Sequence, residues 1–127
     1  MPLTKIIFYL DDDGTVPVLE WLRDLPPKVQ DKCVVKIERL ASLGHELRRP
    51  EADYLRDKIY ELRIGRQGIN YRILYFFYGN SVAILSHGIV KEKAVPIGEI
   101  ERAIAFKNKF EQNPEAHTYQ RRINNDT

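Results

Sequence analysis

A chain of 127 residues, 43% of them hydrophobic, with five Phe, seven Tyr and one Trp, holds enough apolar material for one domain with a real core. That excludes an intrinsically disordered chain. A net charge of +2 permits nucleic acid as a partner without demanding it. Cys33 is the single cysteine, which excludes a disulfide framework and a zinc ribbon. No apolar run approaches the about 20 residues of a membrane span, and residues 1–10 lack the length and basic start of a signal peptide. The expectation is a soluble, cytoplasmic protein with no membrane contact.

In chain order, residues 5–10 (KIIFYL) are β-branched and aromatic and predict a strand able to sit at a sheet edge. Asp11-Asp12-Asp13-Gly14 predicts a turn. Three adjacent acids invite calcium, but the alternating ligands and distal Glu of a calcium loop are absent, so no metal is expected there. Thr15 is placed to cap a helix whose first turn holds Pro17. Val18, Leu19, Trp21, Leu22 and Leu25 form its apolar side, and Pro26-Pro27 stops it. A second helix is predicted over residues 27–43, with Val29, Cys33, Ile37 and Leu40, joined by Val34 and Ala41, in one stripe. Cys33 in that stripe reads as a buried core thiol, because a reactive one needs an exposed, electropositive setting. Gly44 follows where a left-handed cap is expected. Residues 45–57 carry Arg48, Arg49 and Arg56 against Glu46, Glu51, Asp53 and Asp57; the near-cancelling signs predict a solvated loop pinned by Tyr54 and Leu55.

Residues 59–64, 69–78 and 82–87 predict three antiparallel strands. Gly65 and Gly68 bracket the first connection, and Gly79-Asn80 makes the second. Alternation puts Ile59, Glu61 and Arg63 on one face of the first strand. In the second it puts Asn70 and Arg72 on one face and Ile69, Tyr71, Ile73, Tyr75 and Phe77 on the other. Arg63 and Arg72 thus sit in strands otherwise built for burial, where a charge needs a partner or a role. A structural ion pair with Glu61, on the adjacent strand, is the alternative to a functional role for Arg72. A last helix is predicted from Glu99 to about Phe110, with acids first and lysines last, as the macrodipole favours. The domain spans residues 1–110, and residues 111–127 read as a polar tail.

Few chemistries survive. His45, His87 and His117 lie in unrelated contexts, so no Ser-His-Asp order is convincing. No His/Cys/Asp cluster has metal spacing, and Gly65-Arg66-Gln67-Gly68 joins strands instead of opening a helix on a phosphate. What remains is a cationic set on the sheet: Arg63, Arg72, Lys91 and Lys93, with Arg66 at a turn and His87 at a strand end. Such a set suits RNA. Cleavage at a 2′-hydroxyl needs a base for its proton, donors for the crowded phosphorane and an acid for the leaving 5′-oxygen. Arginine's planar fork fits the middle role. Clustered cations can lower a neighbouring lysine's pKa enough to make it a base, and the intrinsic pKa of histidine, near neutrality, suits His87 to act as an acid or base.

The order Tyr60-Glu61-Leu62-Arg63, Tyr71-Arg72-Ile73-Leu74-Tyr75, then Leu85-Ser86-His87-Gly88-Ile89-Val90-Lys91-Glu92-Lys93 and Pro96 resembles the RelE/ParE toxin superfamily. Within it the likeness is to the phage-derived, HigB-like (Gp49-like) group, and it extends more loosely over residues 5–110. The resemblance implies an α+β fold in the order β-α-α-β-β-β-α, with a mainly antiparallel four-stranded sheet, the first strand at the meander's edge and a helical hairpin on one face. It implies a metal-independent endoribonuclease of a type II toxin–antitoxin pair, cleaving mRNA on the ribosome and silenced by an antitoxin, of helix-turn-helix type, from the adjacent gene. Arg72 matches the family's phosphate-stabilising arginine, and Arg63 a basic catalytic or RNA-binding position. Lys91 matches the first lysine of a paired-lysine motif, whose second lysine is Glu92 here, with Lys93 one place later; Ile89 replaces a phenylalanine. Catalytic roles are thus expected for Arg63, Arg72, Lys91 and His87, and RNA contacts for Arg66 and Lys93, without cofactor or metal. Two other classes stand beside this one: a protein-binding toxin, as the ParE branch inhibits gyrase, and a catalytically inactive member, to which Glu92 points.

Overall fold

The computed structural model describes residues 3–91 and 93–120. In chain order the elements are β1 (Lys5–Phe8), α1 (Pro17–Arg23), α2 (Pro27–Leu43), β2 (Ala52–Arg56), β3 (Ile59–Arg66), β4 (Ile69–Tyr78), β5 (Val82–Lys91) and α3 (Ile97–Gln112). The alternating run in the middle of the chain forms the expected meander. β3 pairs antiparallel with β4, and β4 with β5. Because β3 runs on to Arg66, the connection shrinks to Gln67-Gly68, both at positive φ (51° and 80°), the geometry that a tight hairpin turn requires.

The sheet is larger and more mixed than a four-stranded antiparallel one. It has five strands in the order β1-β5-β4-β3-β2. β1 lies at the meander's edge beside β5, but parallel to it, with Lys5 opposite Val82 and Phe8 opposite Leu85. β2 corrects the solvated loop expected over residues 45–57: Ala52 sits opposite Leu62, Asp53 opposite Glu61 and Tyr54 opposite Tyr60. Its carboxylate, Asp53, is not left to water. Asp53 accepts from Arg63 across the strand pair at 3.2 Å and faces Arg49 at 2.9 Å. Tyr54 is not the pin either, being 50% exposed. Leu55 instead packs partly into the core.

Both faces of the sheet are covered. α1 and α2 lie on one, where Val18, Val29, Cys33 and Leu40 pack with Leu62, Ile64, Tyr71, Ile73 and Tyr75. α3 lies on the other, packing Ile100, Ala103, Phe106 and Phe110 on Ile59, Leu74, Phe76 and Ile84. Cys33 is buried as expected, and its surroundings push the thiol up to about 11. Val34 falls outside the stripe and is about half exposed. Thr15 does not cap α1, which starts after Val16 without a side-chain cap; Thr15 bonds to Asp13 instead.

Gly88 marks the tightest approach between the layers. A Cβ there would stand 2.0–2.5 Å from atoms of the Trp21 indole. Gly88→Ala is therefore expected to lower stability by about 1–3 kcal/mol, the usual range for overpacking, and denaturant unfolding followed by circular dichroism reads it directly.

The chain past α3 is not a free tail over its described part. Residues 115–117 form a 3-10 turn. Tyr119 N–H donates to the Phe8 carbonyl at 3.0 Å, and Leu10 N–H donates to the His117 carbonyl at 2.9 Å. The buried His117 ring joins these backbone bonds, stacking on Tyr9 with its Nδ1 2.8 Å from the Leu10 carbonyl, and the segment covers part of the outer edge of β1. Residues 121–127, the rest of the expected tail, lie outside the described residues.

Candidate functional site

The face of the sheet under α3 carries an ionic cluster just beyond the apolar packing. Glu61 on β3 is 1% exposed and is approached by three cations from three strands. Arg63 Nε–H donates to its Oε2 at 2.9 Å, and Arg72 Nε–H on β4 donates to its Oε1 at 3.2 Å. Lys91 Nζ on β5 lies 3.6 Å from the same Oε1. Arg72, itself 8% exposed, also donates from Nη1 to the Tyr71 carbonyl at 2.9 Å. The pairing of Arg72 with Glu61 is thus real, and it is one contact of a larger cluster. Burial pushes the Arg72 guanidinium down from its usual value, and the Glu61 carboxylate pushes it back.

Register explains why these residues meet. Arg63 sits opposite Arg72, and Arg72 opposite Ile89. Strict alternation along β5 from Leu85, which packs under α1 and α2, would put His87, Ile89 and Lys91 on that same face. A bulge prevents this: Tyr75 pairs with Leu85 but Leu74 pairs with His87, so Ser86 is an extra residue. The extra residue turns His87, Ile89 and Lys91 toward the α3 face, where Ile89 joins the apolar cluster and Lys91 reaches Glu61.

The network continues to the β2 edge. Arg63 Nη2–H donates to Asp53, which also pairs with Arg49. Arg49 beside it holds the Asp53 carboxyl below its usual value. Arg49, Arg63, Arg72 and Lys91 against Asp53 and Glu61 leave an excess of two positive charges. β2 pairs with β3 only as far as Ala52 opposite Leu62, and a cleft of about 700 Å3 opens beyond that point. Arg63, Arg72 and Asn70 line it from the strands, Asp31, Lys32, Val35 and Lys36 from α2, and Glu51, paired with Lys36, from the chain before β2. Among the described residues, Arg72 Nη2 and Arg63 Nη1 make no protein hydrogen bond, so donors of both forks remain for an anion.

The other expected site residues stand apart. Arg66 lines a different cleft, with Pro26, Pro27 and Tyr71 on the α2 face, because it lies an odd number of residues from Arg63. Lys93 is exposed past the end of β5, and Glu92 lies outside the described residues. His87 is enclosed beneath α3. Its Nδ1 lies 2.8 Å from the Ser86 hydroxyl and its Nε2 3.0 Å from Glu99 Oε1, which fits a neutral ring that accepts from Ser86 and donates to Glu99. Sequence reasoning missed Asp53, Arg49, Lys32 and Lys36. The last two, spaced i and i+4 on α2, were legible as one helical face; the first two were hidden by the loop reading.

Burial, chiefly, lowers the His87 pKa from 6.5 to about 4, with Arg102 adding to it and Glu99 opposing. The folded-state value lies below the unfolded one, so the contribution to stability is full above about pH 6.5. It is lost as pH falls toward 4, because the unfolded chain takes the proton first. Urea midpoints at pH 7 and pH 5 are expected to show this fall, and His87→Asn to flatten it.

Among the described residues, no group of three or more His, Cys, Asp or Glu is placed to hold a metal, and no helix is long and apolar enough to cross a membrane. No curated protein matches the chain. A family model does: residues 20–108 match the family described as Phage derived protein Gp49-like (DUF891). That span takes in α2, the whole meander, every residue of the Glu61 cluster and most of α3. The chain belongs to the Gp49-like phage-derived family, a RelE-like toxin family.

Proposed function

We propose that this protein is the toxin of a toxin–antitoxin pair and acts as a metal-independent endoribonuclease on mRNA at the ribosome. The observation that carries the reading is the meeting of Arg63, Arg72 and Lys91 at one buried carboxylate, with the two arginines facing an open cleft. Arg72 is the donor for the phosphorane, because its guanidinium is held at Nε and Nη1 and presents the rest of a planar fork. Arg63 shares that load. Lys91 is the candidate proton-transfer group, an amine 3.6 Å from the carboxylate that both arginines contact. His87, neutral and enclosed by Ser86 and Glu99, serves this site by holding β5 and α3 together. Arg66 and Lys93 contribute only general attraction to the RNA backbone.

The partner that follows is an antitoxin, encoded next door, that covers the cationic face. The deciding experiment is inducible expression with primer extension on a reporter mRNA, with and without the product of the adjacent reading frame. Cuts within translated codons that disappear on co-expression are the expected result. Growth arrest without cuts would remove the nuclease reading and make gyrase inhibition the next test. Neither cuts nor arrest would leave an inactive member of the family.

A further inference from the structure

We propose that Glu61 is the positioning residue of the cationic site. Its carboxylate fixes the three cations from below and lowers the net charge that RNA meets from above. This rests on the nuclease reading of the same site. An acid among RNA-binding cations is costly to a site that only has to attract phosphate, yet here it is buried at their centre. Geometry supplies a reason. Each carboxylate oxygen takes one Nε–H, Oε2 from Arg63 and Oε1 from Arg72, and Lys91 lies on the Oε1 side. Nε is the inner nitrogen of a guanidinium. A second bond then fixes the plane of each fork, Arg63 through Nη2 on Asp53 and Arg72 through Nη1 on the Tyr71 carbonyl, and leaves one outer nitrogen of each with N–H groups to donate.

Arginine and lysine are rotamer-rich, and three of them crowded together would repel one another and splay. One anion shared by all three removes that freedom before RNA arrives. A phosphate then meets donors already oriented, which is what transition-state stabilisation needs. The same charge weakens ground-state attraction for RNA, so Glu61 favours turnover over tight binding.

The test compares wild type with Glu61→Gln, which keeps the shape and removes the charge. Two measurements are made: affinity for a fully 2′-O-methylated, uncleavable single-stranded RNA, and the pH profile of mRNA cleavage in a translating extract. The expected result is a split. Binding tightens roughly tenfold, as one opposing charge near a phosphate is removed, while cleavage slows about 100-fold as the donors lose their alignment. The shape of the pH profile does not change. Loss of the acid limb would make Glu61 the base itself and overturn the positioning role. Binding that does not tighten overturns it too, whether or not the wild type cleaves mRNA. Absent wild-type cleavage alone counts against the nuclease reading, and the binding arm still decides the role of Glu61. Should Glu61→Gln fail to fold, Glu61→Asp keeps the charge and withdraws it by one methylene: cleavage is expected to fall at unchanged RNA affinity, and wild-type cleavage would overturn the proposal.

Discussion

Arg72→Ala is expected to slow mRNA cleavage by about 100- to 1,000-fold, the usual loss when a donor aimed at developing charge is removed. It is also expected to lower stability, because the same guanidinium donates to a carboxylate that is 1% exposed. Arg63 and Lys91 remain beside Glu61, so the charge is not stranded alone. The cost is then about 1–3 kcal/mol for one lost charged hydrogen bond, short of the about 3–5 kcal/mol of a buried pair broken outright. The two effects separate in the double variant Arg72→Ala/Glu61→Gln. Removing the carboxylate's charge restores most of the midpoint and none of the rate. Arg72→Lys restores the rate only in part, since an ammonium lacks the planar fork. Recovery of both stability and cleavage in the double variant would reduce Arg72 to a counter-ion for Glu61.

What the sequence made legible, and what it hid, divides along physical lines. Alternation placed Glu61 with Arg63 on one face of β3, and Arg72 on the face of β4 opposite Tyr71, Ile73, Tyr75 and Phe77, because side-chain period in a strand is a local property. The faces then follow once the pairing is known. Arg66 could have been separated from Arg63 by the same parity. Lys91 could not be placed this way, since its face depends on the bulge at Ser86, where no glycine or proline announces an extra residue. β2 was hidden for a different reason. Its charges look solvated when read along the chain, and Asp53 is tied into the sheet only across the strands, where it meets Arg63. The partner lies 10 residues away, beyond the reach of any local window. Burial of His87 under α3 is likewise a tertiary fact. A histidine at a strand end carries no local sign of whether a helix will close over it.

Stability and chemistry should also separate in the opposite direction, at the far end of α3. Phe110 is 1% exposed, with its ring 6.0 Å from Phe76 and 5.2 Å from Tyr78 in edge-on contacts. Phe110→Ala is expected to cost about 3–5 kcal/mol, the range for emptying a buried aromatic site. On a domain of ordinary size that lowers the Tm by roughly 10–20 °C and removes a large part of a typical total stability of about 5–15 kcal/mol. Phe76 lies four residues along β4 from Arg72, on the same face, which is about 13 Å of strand. The cavity therefore opens well away from the cations, and no charge or donor of the cluster changes. Assayed well below its Tm, Phe110→Ala should cleave mRNA at the wild-type rate per folded molecule, where Arg72→Ala does not. A variant that stays folded and loses cleavage would show that the docking of α3 reaches the site. The route available is the bond between Glu99, on the first turn of α3, and His87, two residues before Ile89, which faces Arg72 across the strand pair.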